Sequence, residues 1–156
     1  MLSLGPEHAR AYDVVCCHGV AMYLPSLEVV VAALVAAAAP GGLISILTRN
    51  RFGIAMRAGM SRDWPGTLAG FDARTYDNRI GIASVRADEP AEVGAALAAR
   101  GASTVAWYGV RLFTDHWGAD EPGEDLPALL AAEEEAGRRD PYRLVAAMTH
   151  TVASVA

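Results

Sequence analysis

The chain has 156 residues, 53% hydrophobic and 20% charged, which fits one soluble globular domain, or part of one, with a core of its own. Its thirteen basic residues are all arginine and its net charge is −5, a balance that argues against a general nucleic-acid footprint. Cys16 and Cys17 are the whole cysteine content and argue against a disulfide framework or a cysteine-based metal site, so both are read as buried structural thiols. The longest apolar stretch, Val29 to Ala39, is too short to cross a bilayer, and Met1 to Arg10 lacks the pattern of a secretion signal. A cytoplasmic protein without membrane contact is therefore expected.

In chain order, Tyr12 to Cys17 is a continuous apolar run behind Asp13, the pattern of a strand covered on both faces in a parallel sheet. Ser26 is placed to cap a helix running from Leu27 to Ala39, which Pro40-Gly41-Gly42 stops in a tight turn. Leu43 to Thr48 is a second β-rich run, so the first part of the chain predicts a βαβ unit with a right-handed crossover. Phe52 to Met60 suits a short helix, whereas Trp64-Pro65-Gly66 and Asn78 to Gly81 read as turns in a long connection reaching Ala87. Glu89-Pro90 opens a helix over Ala91 to Arg100, with Gly101 as its stop. A strand over Thr104 to Asp115 follows, in which Gly109 marks a bulge or a close backbone approach. A helix over Leu126 to Arg139 and a last strand over Met148 to Val155 complete an α/β pattern.

Charge is segregated along the chain. Residues 49 to 86 hold Arg49, Arg51, Arg57, Arg62, Arg74, Arg79 and Arg86 against three aspartates, a local +4, whereas residues 87 to 140 carry a local −8. The basic stretch is open to two readings: a cover for RNA phosphates, or a solvated loop. His8, His116 and His150 show no metal-ligand spacing and are assigned ordinary polar roles, and no metal is expected.

The segment from Asp13 through Ile46, YDVVCCHGVAMYLPSLEVVVAALVAAAAPGGLISILT with its flanks, resembles the second half of a class I S-adenosylmethionine-dependent methyltransferase: a strand opened by Asp, a His after it, a helix, Pro-Gly-Gly and a strand. Further motifs resemble the bacterial tRNA 5-carboxymethoxyuridine methyltransferase branch. They are His18-Gly19-Val20 with Tyr23, Asn50 followed by Gly53 and Met56, Gly109-Val110-Arg111-Leu112-Phe113 with Asp115, and Asp140-Pro141-Tyr142. The sequence departs from that branch at Tyr23, where the family has Trp, at Arg49 and Arg51 beside Asn50, and in the insertion after the second strand.

The resemblance implies an incomplete Rossmann-like fold holding strands four to seven of the order 3-2-1-4-5-7-6, the last strand antiparallel. Residues 1–156 then form a single partial methyltransferase domain, with 49–88 as a basic insertion. It implies that His18 and Gly19 contact S-adenosyl-L-methionine, that Asn50, Arg111, Asp115 and Tyr142 face the acceptor, and that the site positions its reactants without acid or base residues. For Arg111, read as lying in an apolar strand, two explanations stay open, an acidic partner in the fold or an anionic substrate. The acceptor implied is a tRNA wobble uridine, through a carboxylate or similar nucleophile, or a smaller molecule.

The Gly-rich turn after a first strand and the acidic residue ending a second strand, which normally hold this cofactor, are not found in the sequence. An N-terminal half or a homo-oligomer partner at the edge of the first strand is therefore expected, the chain by itself being inactive. The alternative function is a non-catalytic truncated domain that acts as an interaction module through its open sheet edge.

Overall fold

A computed structural model describes residues 5–78, 81–82, 84–117 and 123–156. Strand β1 (Tyr12–His18) leads through a single-turn helix at Ala21–Tyr23 into helix α1 (Leu27–Ala37), and strand β2 (Ala38–Arg49) returns alongside β1. Ser26 caps α1 as expected, its hydroxyl accepting from the Val29 amide. Helices α2 (Gly53–Met60) and α3 (Trp64–Gly70) and a two-stranded ribbon of β3 (Thr75–Tyr76) and β4 (Val85–Arg86) occupy the connection that follows. Helix α4 (Pro90–Ala98), strand β5 (Ala102–Val110), helix α5 (Leu126–Arg138) and strand β6 (Met148–Val155) complete the chain.

The four long strands form one sheet in the order β1-β2-β6-β5. β1 and β2 run parallel, and β6 is antiparallel to both of its neighbours. This is the order 4-5-7-6 with a reversed last strand that the resemblance implied. Cys17, Ile44, Ile46, Ala153 and Val155 turn one face of the sheet toward Leu27, Val30 and Val31 of α1 and Val93 and Leu97 of α4, and this is the core. A wholly buried Ile44 or Ile46 at its centre carries a cost of about 2–5 kcal/mol on truncation to Ala.

Among the described residues, no helix covers the β1 and β2 part of the other face. Strand register aligns His18, Leu47, His150 and Tyr108 in one row across all four strands, with Cys16, Ser45 and Val152 in the next and Val14 and Leu43 beyond. Val14 is 57% exposed, and Cys16, His18 and Leu43 are exposed with it. The two-sided cover and two buried thiols expected from the apolar run are thus corrected: β1 is an edge strand with one covered face, and of its cysteines only Cys17 is buried.

Three further readings are corrected by local geometry. Trp64-Pro65-Gly66 starts a helix instead of making a turn, because Asp63 accepts from the Gly66 amide and Pro65 sits in the first turn, where its missing N–H costs nothing. The Pro40-Gly41-Gly42 stretch is absorbed into β2: Gly41 has φ +78, and a Cβ on Gly42 would lie 3.1 Å from the Tyr12 and Asp13 carbonyls. The strand predicted through Asp115 ends at Val110, since Arg111 adopts φ +61 and turns the chain away. Gly109 is the close approach foreseen: a Cβ there would lie 2.8 Å from the Arg143 carbonyl and from Ala146. Among the described residues, no helix is long and apolar enough to cross a membrane.

Candidate functional site

The candidate site is built on the carboxyl ends of β1 and β2, where ligands bind in open α/β sheets. β1 delivers His18 and then Gly19, whose amide donates to the Leu47 carbonyl at 2.9 Å and whose φ is +66. Nothing lies within 4 Å of where a Cβ on Gly19 would stand, so conformation requires the glycine here and the space above it is free. His18 Nε2 lies 2.8 Å from Ser45 Oγ, and the same hydroxyl is 2.7 Å from His150 Nε2. One hydroxyl hydrogen cannot serve two imidazoles, so Ser45 donates to one ring and accepts from the other. The rings of His18 and His150 meet edge to face at 5.4 Å. Burial, and then the proximity of His18, hold the His150 pKa below its usual value, so this ring favours the neutral form.

The loop after β1 is tied down by Arg86. Its guanidinium donates to the Ala21 and Leu24 carbonyls and pairs with Asp88 at 2.7 Å, while Asp88 accepts from the Thr48 hydroxyl. Tyr23, at the end of the loop, accepts from Asn78 at 2.9 Å. β2 ends in Arg49 and Asn50. Arg49 pairs with Asp115 at 2.9 Å, and its guanidinium lies 4.7 Å from the centre of the Tyr76 ring. Burial raises the Tyr76 pKa, so its phenol stays neutral.

Asn50 is wholly buried, and its amide donates both hydrogens to the Leu144 and Ala146 carbonyls while its oxygen accepts from the Phe52 amide. It clamps the start of α2 to the turn at Tyr142–Val145, with no donor hydrogen left for an acceptor. Arg111 lies beyond the strand in which it was placed; it is half exposed and 3.7 Å from Asp115, whose nearer partner is Arg49. Both explanations of Arg111 thus keep a footing, an acidic partner at long range and a guanidinium open to solvent. Tyr142 is 55% exposed on the turn that Asn50 fixes.

His18 and Gly19 thus share one strand end, Asn50 and Tyr142 share a turn, and Asp115 joins Arg111 to Arg49. The Ser45–His150 half of the histidine cluster escaped sequence reading. Its one signal is a serine at the centre of the apolar stretch Leu43 to Leu47.

The charge segregation resolves largely inside the fold. Arg49, Arg51, Arg74 and Arg86 of the basic stretch pair with Asp115, Glu89, Glu92 and Asp88 of the acidic one. Arg79 lies outside the described residues, as does part of the turn expected over Asn78 to Gly81.

Sheet order, antiparallel last strand and helices on one face define part of a class I methyltransferase fold. Solved structures agree. The chain is similar to the [4+2]-cyclase SpnF (TM-score 0.54, 15% identity, 98% of this chain and 52% of that one). It is also similar to an S-adenosylmethionine-dependent methyltransferase described as such in Listeria monocytogenes (TM-score 0.52, 13% identity, 95% and 63%) and to another from Mesorhizobium loti (TM-score 0.50, 15% identity, 94% and 62%). The chain therefore spans about half to two thirds of the length of these structures. No family model and no curated protein matches it.

Proposed function

We propose that the chain is the acceptor-side part of an S-adenosylmethionine-dependent methyltransferase, completed by a cofactor-binding half that lies on another segment or another polypeptide. The observation that carries this reading is the pairing of a 4-5-7-6 sheet with an open loop, His18-Gly19, at the carboxyl end of its edge strand. The edge of β1, unpaired among the described residues, and the open sheet face beside it are where a completing half would join.

The residues present fit one wall of a cofactor site. His18 is exposed at the strand end, and Gly19 leaves room for a close approach. When bound, the sulfonium cofactor supplies both the electrophilic methyl and its leaving group. The chain's own tasks are then alignment and exclusion of water. His18 is held in one orientation by Ser45, Arg86 fixes the loop that follows it, and Asn50 sets the start of α2 against the Tyr142 turn. An ionised carboxylate or similar nucleophile needs no general base, only a donor such as Arg111 to orient it.

A tRNA wobble uridine is the acceptor favoured by the Gly109 to Asp115 motif, and a small molecule is the one favoured by the neutralised basic stretch. With four of its arginines already paired inside the fold, that stretch offers little free charge to phosphates, so we favour the small molecule. The open edge also supports a second reading, a non-catalytic module that pairs through β1. Light scattering across concentrations tests it, since a monomer at all concentrations that takes no partner rules it out.

Calorimetry of S-adenosylmethionine with the chain alone, and with a form extended by a strand and Gly-rich turn ahead of β1, tests the first reading. Uptake by the extended form, weakened by His18→Ala, is expected; no uptake overturns it.

A further inference from the structure

Helices α2 and α3 and the turn at Leu144 and Val145 border an apolar cavity of about 570 Å3 that is open to solvent on one side. Phe52, Met56, Met60, Phe71 and Leu144 line it, and each remains between 37% and 63% exposed. So large a concave apolar surface is costly to leave in water, and its volume lies in the range of small-ligand sites.

Its walls are fixed in place by contacts that do not depend on a ligand. Asn50 ties the Leu144 and Ala146 carbonyls to the start of α2. Gly70 lets α3 approach α2 so closely that a Cβ there would lie 2.9 Å from Ala55 Cα. Arg51 donates to the Phe71 carbonyl at 3.2 Å and so fixes the far end of α3. The cavity is thus preformed.

Its chemistry is nearly all hydrocarbon and thioether. The hydroxyl of Thr67, a polar group in the wall, already donates to the Asp63 carbonyl at 2.6 Å. Arg51, whose guanidinium lies 5.4 Å from the Phe52 ring centre, is paired with Glu89 at 3.3 Å. A charged ligand body gains nothing here, whereas two methionines adapt to an irregular apolar one.

We propose that this cavity binds the uncharged, apolar body of a small-molecule acceptor, whose nucleophilic group stays outside it. The proposal rests on the acceptor-side reading above and specifies its substrate class. The cavity starts at Phe52, three residues past the end of β2, which places it on the ligand-binding side of the sheet.

The test is fluorescence titration of the full chain with N-phenyl-1-naphthylamine, a neutral apolar probe. One-to-one binding in the micromolar range is expected, weakened at least about tenfold by Met56→Glu, which puts a carboxylate into the cavity. Met60→Glu, at a more exposed wall position, is expected to do the same and decides the matter if Met56→Glu lowers the melting temperature. Val14→Glu on the open sheet face and Leu130→Glu on α5 mark other exposed apolar places and are expected to leave binding unchanged. Absence of binding, binding that both methionine variants retain, or binding lost in Val14→Glu or Leu130→Glu overturns the proposal. Because the probe needs no cofactor, failure of S-adenosylmethionine uptake overturns the methyl-transfer reading and leaves the titration result standing.

Discussion

Arg49 and Asp115, sixty-six residues apart in sequence, form an ion pair 2.9 Å long with side chains only 5% and 11% exposed. It joins the end of β2 to the turn beyond β5, and so it holds together the two segments that carry the Asn50 and Arg111 motifs. Removing one member leaves the other charged and buried, at a cost of about 3–5 kcal/mol. Asp115→Ala is therefore expected to lower the denaturant midpoint strongly, with Arg49→Leu/Asp115→Leu recovering part of the loss. A midpoint unchanged in Asp115→Ala would show that the pair contributes nothing to stability.

Arg111 contrasts with that pair. Half exposed and 3.7 Å from Asp115, it contributes less than about 1 kcal/mol through charge. Its left-handed backbone costs about 1–2 kcal/mol, which glycine avoids. Arg111→Gly is thus expected to leave stability equal or slightly raised. If the guanidinium orients the acceptor, the same variant of a completed enzyme loses activity with an unchanged melting temperature. A large stability loss would assign Arg111 to the fold alone.

These two arginines also show what was legible in the sequence. Apolar runs, helix formers and their caps and stops located α1, α4, α5 and the four long strands, although α5 buries only Ala136 and Gly137 at its end. The order of those strands came with the motif resemblance. Arg49 read as a departure beside Asn50, because its partner is set by the turn after β5 and not by local spacing. Arg111 read as a strand residue because nothing in Thr104 to Asp115 announces a non-glycine at positive φ. The Ser45 cluster was hidden for a similar reason: it depends on a register that brings His18 and His150, 132 residues apart, onto one row. The apolar cavity depends on α3, whose Trp64-Pro65-Gly66 start looks like a turn until Asp63 is recognised as its cap.

His150 carries a pH signature. Its folded pKa lies below the ordinary value of 6.5, so between the two values the unfolded chain binds more protons than the folded one. Stability contributed by this group is full above about pH 6.5 and falls as the pH drops toward the folded value. Melting temperatures measured from pH 7.5 down to 5 are expected to decline more steeply in the native chain than in His150→Gln. Parallel curves would mean that the imidazole titrates as freely folded as unfolded.

Cys16 and Cys17 separate the two faces of β1 chemically. Cys16 is exposed on the open face, whereas Cys17 is buried in the core and burial raises its thiol pKa. A disulfide reagent at neutral pH is expected to titrate one thiol rapidly and the second only after denaturation, with Cys16→Ser abolishing the fast phase. A completing half that covers the open sheet face must also cover Cys16, so the fast phase is expected to slow when that half is present. A fast phase equally quick in the completed form would place the completing segment away from this face and would weaken the proposed link between the edge of β1 and a cofactor-binding half.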